Sequence, residues 1–146
     1  MILISHRGNI GGRIVERENE PSYIEEALAC GYDVEIDVRY VEESIWLGHD
    51  APQYRVDFDW LWEKRSKLWI HCKDIPSIVF FNSNFYYDYL NYFWHDTDKV
   101  VLTSSGYLWA FPGNQPIKNS IAVMPELYND NVSEALGVCS DYVKNY

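Results

Sequence analysis

Apolar and polar positions change period several times along the chain. Ile2 to Ser5 is a short apolar run that ends in a glycine-rich turn, Gly8 through Gly12, and reads as a strand meeting a loop. Pro21 to Cys30 reads as a helix, with proline in its first turn and Gly31 just past its end. Asp33 to Tyr40 alternates with period two, so Val34, Ile36 and Val38 share one strand face and Asp33, Glu35, Asp37 and Arg39 the other. Four charges on one face are unusual for a core element. After Glu42-Glu43-Ser44, Ile45 to Leu47 reads as a strand returning antiparallel, which places His49 opposite roughly Val38 and beside Asp37.

Phe58 to Lys67 then predicts a helix and Leu68 to Lys73 a strand. Ile75 to Leu90 predicts one or two helical segments, with a break near Asn82 and Asn84, because asparagine competes for backbone hydrogen bonds. Strands follow at Tyr92 to His95, Val100 to Ser104, Ile121 to Met124 and Gly137 to Ser140, with a short helix at Val132 to Leu136 and a loop at Pro112-Gly113-Asn114. Tyr107, Trp109 and Phe111 alternate by two, as a half-buried strand does and as an aromatic wall for a bound alcohol would. Neither repeat nor low-complexity linker divides the chain, so residues 1–146 are expected to form one domain. Strands alternating with helices early on predict an α/β protein with a parallel sheet, open or closed.

Composition narrows the function. The 146 residues carry 12 basic and 22 acidic side chains, a formal charge of -10. Such a surface repels polyphosphate backbones, so no nucleic-acid partner is expected, while a small anion is still accessible to a local cluster of cations or a bound metal. Cys30, Cys72 and Cys139 are odd in number and widely spaced, without a C-x-x-C pair; they read as reduced thiols of a cytoplasmic protein. The apolar run Met1-Ile2-Leu3-Ile4 is too short for a signal peptide or a membrane span, and no later stretch is long enough. A full (β/α)₈ barrel typically needs about 250 residues, more than this chain has.

The chemistry concentrates in the first third, at His6-Arg7, Glu35-x-Asp37 and His49-Asp50. Carboxylates at i and i+2 of a strand point to one side, so Glu35 and Asp37 offer oxygens to a common point, as a hard divalent cation requires. With His6 and His49 nearby, the set suits moving protons on and off a phosphodiester while a cation neutralises its charge. Each histidine alone is equally a surface or core residue; their joint placement at strand ends is what points to a site.

The run His6-Arg7-Gly8, Glu18-Asn19-x-Pro21, Ala27, Gly31, Asp33, Glu35-Ile36-Asp37-Val38 and His49-Asp50 resembles, in order and spacing, the N-terminal signature of glycerophosphodiester phosphodiesterases. Near the end, Gly137-Val138-Cys139-Ser140-Asp141 is similar to that family's closing strand. The resemblance implies a barrel of the phosphatidylinositol-specific phospholipase C-like kind and a metal-dependent hydrolase of glycerophosphodiesters or related small phosphodiesters. At this length the implied fold is a reduced TIM-type (β/α) barrel with short or missing outer helices. Carried over by position, His6 and His49 are the general acid/base pair, Arg7 and Lys73 bind phosphate, and Glu35 and Asp37 bind a divalent cation, Mg²⁺ or Ca²⁺.

The chain departs from the family at His71-Cys72-Lys73, where a Glu-x-Lys strand is expected. A neutral ligand at His71 weakens the case for a hard cation and strengthens that for an imidazole-tolerant metal. His71 or Glu126, and more weakly Glu18, are the candidates for the third ligand. His95 and Trp109 are the weaker candidates for the substrate pocket, His95-Asp96 also being a plain turn pair. The competing reading is a binding module that has lost its third metal carboxylate and holds a phosphorylated ligand or a protein without turnover. Exposed strand edges in a shortened barrel add the expectation of a homodimer.

Overall fold

The computed structural model describes residues 1–83 and 89–146. The first parallel unit is β1 (Ile2–His6), α1 (Pro21–Ala29) and β2 (Asp33–Val41). Pro21 starts α1, Gly31 follows it in the left-handed region (φ 93°), and Tyr23, Ile24 and Ala27 are its buried stripe. A hairpin of β3 (Ser44–Leu47) and β4 (Tyr54–Val56) follows, then α2 (Phe58–Lys64), β5 (Leu68–Cys72), α3 (Ile75–Asn82) and β6 (Asn91–Trp94). The remainder is β7 (Val100–Leu102), β8 (Leu108–Ala110), β9 (Ser120–Val123) and β10 (Gly137–Ser140).

All ten strands among the described residues belong to one mixed sheet. Strands β6, β5, β2, β1, β10, β9 and β8 lie side by side and parallel, and β3, β4 and β7 add antiparallel pairings. Successive carbonyls of β2 point in opposite directions: Asp37 accepts from the Gly48 N–H and Val38 from the Lys73 N–H. The hairpin and β5 therefore occupy opposite edges of β2. The Glu35 carbonyl accepts from the Arg7 N–H, so β1 shares the hairpin's edge, lower down. Just beyond β7, Ser104 bonds to Tyr92 of β6 and to Leu90 before it.

The reduced TIM-type barrel expected from the sequence is not what forms. The sheet curls into a half-barrel with three α-helices among the described residues, and the strand–helix alternation stops at β6. Beyond it, residues 111–119 and 124–136 join consecutive parallel strands with turns and a single 3₁₀ turn at Pro125–Leu127. Neither connection supplies a covering α-helix. The helix expected at Val132 to Leu136 is likewise absent; one turn closes there, from the Ala135 N–H to the Val132 carbonyl. The helix from Phe58 ends at Lys64 instead of Lys67, and β4 has no counterpart in the sequence reading. The expected second segment between Asn82 and Leu90 falls mostly on residues 84–88, outside those described.

The apolar side chains divide into two clusters. Val34, Ile36 and Val38 of β2, with Leu68, Ile70 and Cys72 of β5, pack against Ile24, Ala27 and Phe81 of the helices. The other face of the sheet carries Ile4, Trp69, Phe93, Trp109, Ile121, Val123 and Cys139. Trp109 contacts both Trp69 and Phe93, with ring centroids 5.7 and 4.7 Å apart, so this second cluster is an aromatic floor. Two residues beyond Ile4, Trp69 and Phe93, on the same face, stand the ionisable side chains His6, His71 and His95, beside Glu35 and Asp37 of β2.

Candidate functional site

The site begins at the end of β1. Arg7 and Gly8 both have positive φ (56° and 95°), and the Asn9 N–H bonds back to the His6 carbonyl, which is a tight type I′ reversal. Gly8 is needed here for a second reason, since a Cβ would stand 2.6 Å from the Tyr23 ring. The reversal sends the Arg7 guanidinium over β2, where its Nε lies 2.8 Å from Asp37 Oδ2 and another nitrogen 3.1 Å from Glu18 Oε2. A left-handed non-glycine residue costs about 1–2 kcal/mol, and these two ion pairs offset it.

Glu35 and Asp37 are 2% and 0% exposed, as buried as any apolar residue of the core. Asn19, itself left-handed (φ 64°), donates from Nδ2 to Asp37 Oδ2 and accepts from the Asp37 backbone N–H. His71 comes from β5, paired with β2 in a register that sets it beside Asp37. Its Nδ1 is 3.5 Å from Glu35 Oε1 and 3.4 Å from Asp37 Oδ1, and its ring stacks on Phe93. Glu35, Asp37 and His71 each present a ligand atom within 4.8 Å of the others. Glu35 Oε2, Asp37 Oδ1 and His71 Nε2 are buried without a hydrogen-bond partner among the described residues. Buried carboxylate oxygens are rarely left so, and this donor set fits a divalent cation.

His6 stands next to the triad, with Nε2 3.8 Å from Glu35 Oε2. Its Nδ1–H donates to Asp141 Oδ1 at 2.7 Å, which fixes the tautomer and turns Nε2 to the cleft. Asn9 donates to the same Asp141 oxygen. Burial opposes the His6 imidazolium, but the Asp141 hydrogen bond and the Glu35 charge outweigh it and raise its pKa. Burial likewise opposes a charged His71, and its contacts with Asp37 and Glu35 raise it. Asp37 is held far below the usual carboxylate range by His71 and Arg7, against its own desolvation.

An open cleft of about 360 Å³ brings these groups together: His6, Arg7, Glu35, His49, His71 and Lys73 share it with His95, Trp109, Phe111 and Met124. Eight of the sequence candidates thus meet at one place, and the fully buried Asp37 lies beside them, paired with His71. His49 arrives differently from expectation. Val38 pairs with Leu47, so His49 stands two residues beyond the predicted position, on a loop. Arg39 secures that loop by donating to the carbonyls of Gly48 and His49. The His49 side chain is 40% exposed and its Nδ1–H donates to Asp50. Trp109 is almost wholly buried and meets the cleft as floor rather than wall.

Two alternative ligands are excluded by their partners. Glu126 accepts from the Ser140 and Tyr146 hydroxyls. Glu18 is saturated by Arg7, Arg13 and Asn9. Neither belongs to the converging group. The sequence reading assigned no role to Asn9, Asn19 or Asp141. For Asn19 the signal was available in the tolerance of asparagine for left-handed backbone, and for Asp141 in its place directly after a strand.

No protein-family profile, no characterised protein and no solved structure matches this chain.

Proposed function

We propose that this chain is a metal-dependent hydrolase of a glycerophosphodiester or a related small phosphodiester. The observation that carries the reading is the buried Glu35–Asp37–His71 group opening, beside His6, into a cleft that also holds Lys73. Glu35, Asp37 and His71 would hold the divalent cation. When bound, it neutralises charge on a phosphoryl group and acidifies a coordinated hydroxyl. Arg7 orients Asp37 and adds positive potential from below, and Lys73 supplies a cation at the mouth. His6 and His49 face the same cleft from different elements. One of them accepts the proton of the attacking oxygen, and the other donates a proton to the leaving alkoxide. Asp141 keeps His6 in the tautomer that presents Nε2 to this exchange.

The three free cysteines agree with a reducing compartment, and the cytoplasm is where we place this reaction. No helix among the described residues is long and apolar enough to cross a membrane. Pairing of two chains through open sheet edges belongs to the same proposal, and light scattering that returns the mass of one chain removes it.

The test is a panel of glycerophosphodiesters offered to purified protein in EDTA and then with Mg²⁺, Ca²⁺ or Mn²⁺. Release of the alcohol only with metal is the expected result, with His6→Ala and His49→Ala each slowing it by about 10²–10⁴-fold while circular dichroism is unchanged. Ligand binding without turnover under any metal leaves the non-catalytic module as the function. The feature on its side is His71, which replaces a negative ligand by a neutral one.

A further inference from the structure

The lining of the cleft divides by origin. Strands β1, β2, β5 and β6, the residues just beyond them and the His49 loop contribute only ionisable side chains, whereas β8, β9 and the residues just beyond contribute only Trp109, Phe111, Pro112, Val123 and Met124. Strands β1 and β10 separate β9 from β2, and the curl of the sheet brings the two sets onto one cleft. Phe111 and Met124 are partly buried and pack on the aromatic floor, and the His95 ring stacks on Phe111. The backbone holds Met124 in place: φ 46° and ψ 49° are left-handed, and its N–H donates to the Cys139 carbonyl at 2.7 Å. Methionine has no local preference for this conformation; such positions persist where the surroundings enforce them, and they gather at ligand sites. Its flexible thioether adapts to the shape of an apolar neighbour.

We propose that β8 and β9 build the subsite for one alcohol of the phosphodiester and that this alcohol is apolar, a short alkyl chain lying over Trp109 between Phe111 and Met124. The inference rests on the reading of this cleft as a phosphodiester site and names its substrate class, a diester with one hydrocarbon arm in place of two polar ones. The physical ground is the division of the lining. A phosphoryl group is drawn to the ionisable side, where Lys73 and the metal-holding group stand. The arm directed at β8 and β9 meets five apolar side chains and no charge, so an alkyl group gains from burial there while an ammonium or polyhydroxyl group loses its water. At about 360 Å³ the cleft is at the small end of the roughly 300–1,000 Å³ of small-molecule sites, which limits the arm to a few carbons.

The probes are O-alkyl methylphosphonates from methyl to butyl, monoanions that keep the charge of a phosphodiester and resist hydrolysis. Calorimetry on the purified protein, with and without Mn²⁺, is expected to show Kd falling about twofold to fourfold per added methylene, the upper figure being that of complete burial. Met124→Asn, chosen because asparagine tolerates left-handed backbone, and Phe111→Ser are each expected to cut that dependence by about half or more, while Met124→Leu keeps it. Lys73→Ala is expected to weaken every ester alike and to keep the dependence on chain length. Near-UV circular dichroism checks that each variant is folded. A Kd indifferent to chain length in the wild type, a dependence that survives in both polar variants, or no binding of any ester overturns the proposal. A dependence that the polar variants lose, without phosphodiester turnover under any metal, leaves the subsite standing and removes the reaction. Turnover without any dependence on chain length removes the subsite and leaves the reaction.

Discussion

Arg7 shows how much of the site depends on one backbone reversal. Its guanidinium links Asp37 to Glu18, a fork that a lysine ammonium cannot span. Arg7→Lys is therefore expected to lower kcat/KM by at least about tenfold although the charge is kept, and steady-state kinetics on the metal-loaded protein reads this directly. The thiols give a prediction of another kind. Cys30 is exposed, whereas Cys72 and Cys139 are buried, and desolvation pushes Cys72 up to about 12 and Cys139 well above its ordinary value. One thiol is expected to react rapidly with a disulfide reagent at pH 8, the other two only at the rate of unfolding. Prompt labelling of all three would contradict the packing of β5 and β10.

At the level of elements, short loops deliver the chemistry that strands cannot. Gly48 connects β3 to the His49 loop with φ 149°, and a Cβ there would lie 2.0 Å from the Ala51 carbonyl oxygen. Gly48→Ala is expected to displace His49 and cost activity in proportion to His49→Ala, while ¹H–¹⁵N spectra of β1, β2 and β5 stay in place. Asp74 is the N-cap of α3: its carboxylate accepts from the Ser77 N–H at 2.8 Å and also from the Tyr40 N–H. Asp74→Ala should cost about 1–2 kcal/mol by urea denaturation, because it frees the helix start and the end of β2 together. The carboxylate pair of β2 was legible in the sequence, since period-two alternation assigns faces without reference to anything else. His49 was misplaced by two residues because a strand pattern carries no information on where pairing stops.

For the whole molecule, buried ionised groups shape the response to pH. Burial alone would raise Glu18 and Asp141, but Arg13 and Arg7 around the first and His6 beside the second hold both below their ordinary values. Groups with depressed folded pKa values contribute stability above the unfolded value near 4 and lose it as pH falls through the folded one. Cys72, raised to about 12, acts oppositely: stability declines as pH rises from about 9 towards that value. Urea midpoints against pH are expected to form a plateau with these two flanks. Glu18→Gln, which removes the partner of Arg7 and Arg13, should shallow the acid flank. An acid flank unchanged in that variant would show that Glu18 titrates alike folded and unfolded.

The fold itself was half legible. Strand positions, the two faces of β2 and the parallel start follow from local periodicity and from proline and glycine punctuation, which act within a few residues. The missing helices after β6 do not, because a short apolar strand looks the same whether a helix or a turn leads to the next one. By itself the amino-acid sequence determined which side chains carry charge on strand faces and which residue types could hold a cation. Only the tertiary structure decided that His71 and not Glu126 meets Glu35 and Asp37, that Asp141 comes from the far end of the chain to hold His6, and that the sheet stops at a half-barrel. These depend on strand order and register, which are set by packing across the sheet between residues distant in the chain, and no local pattern encodes them.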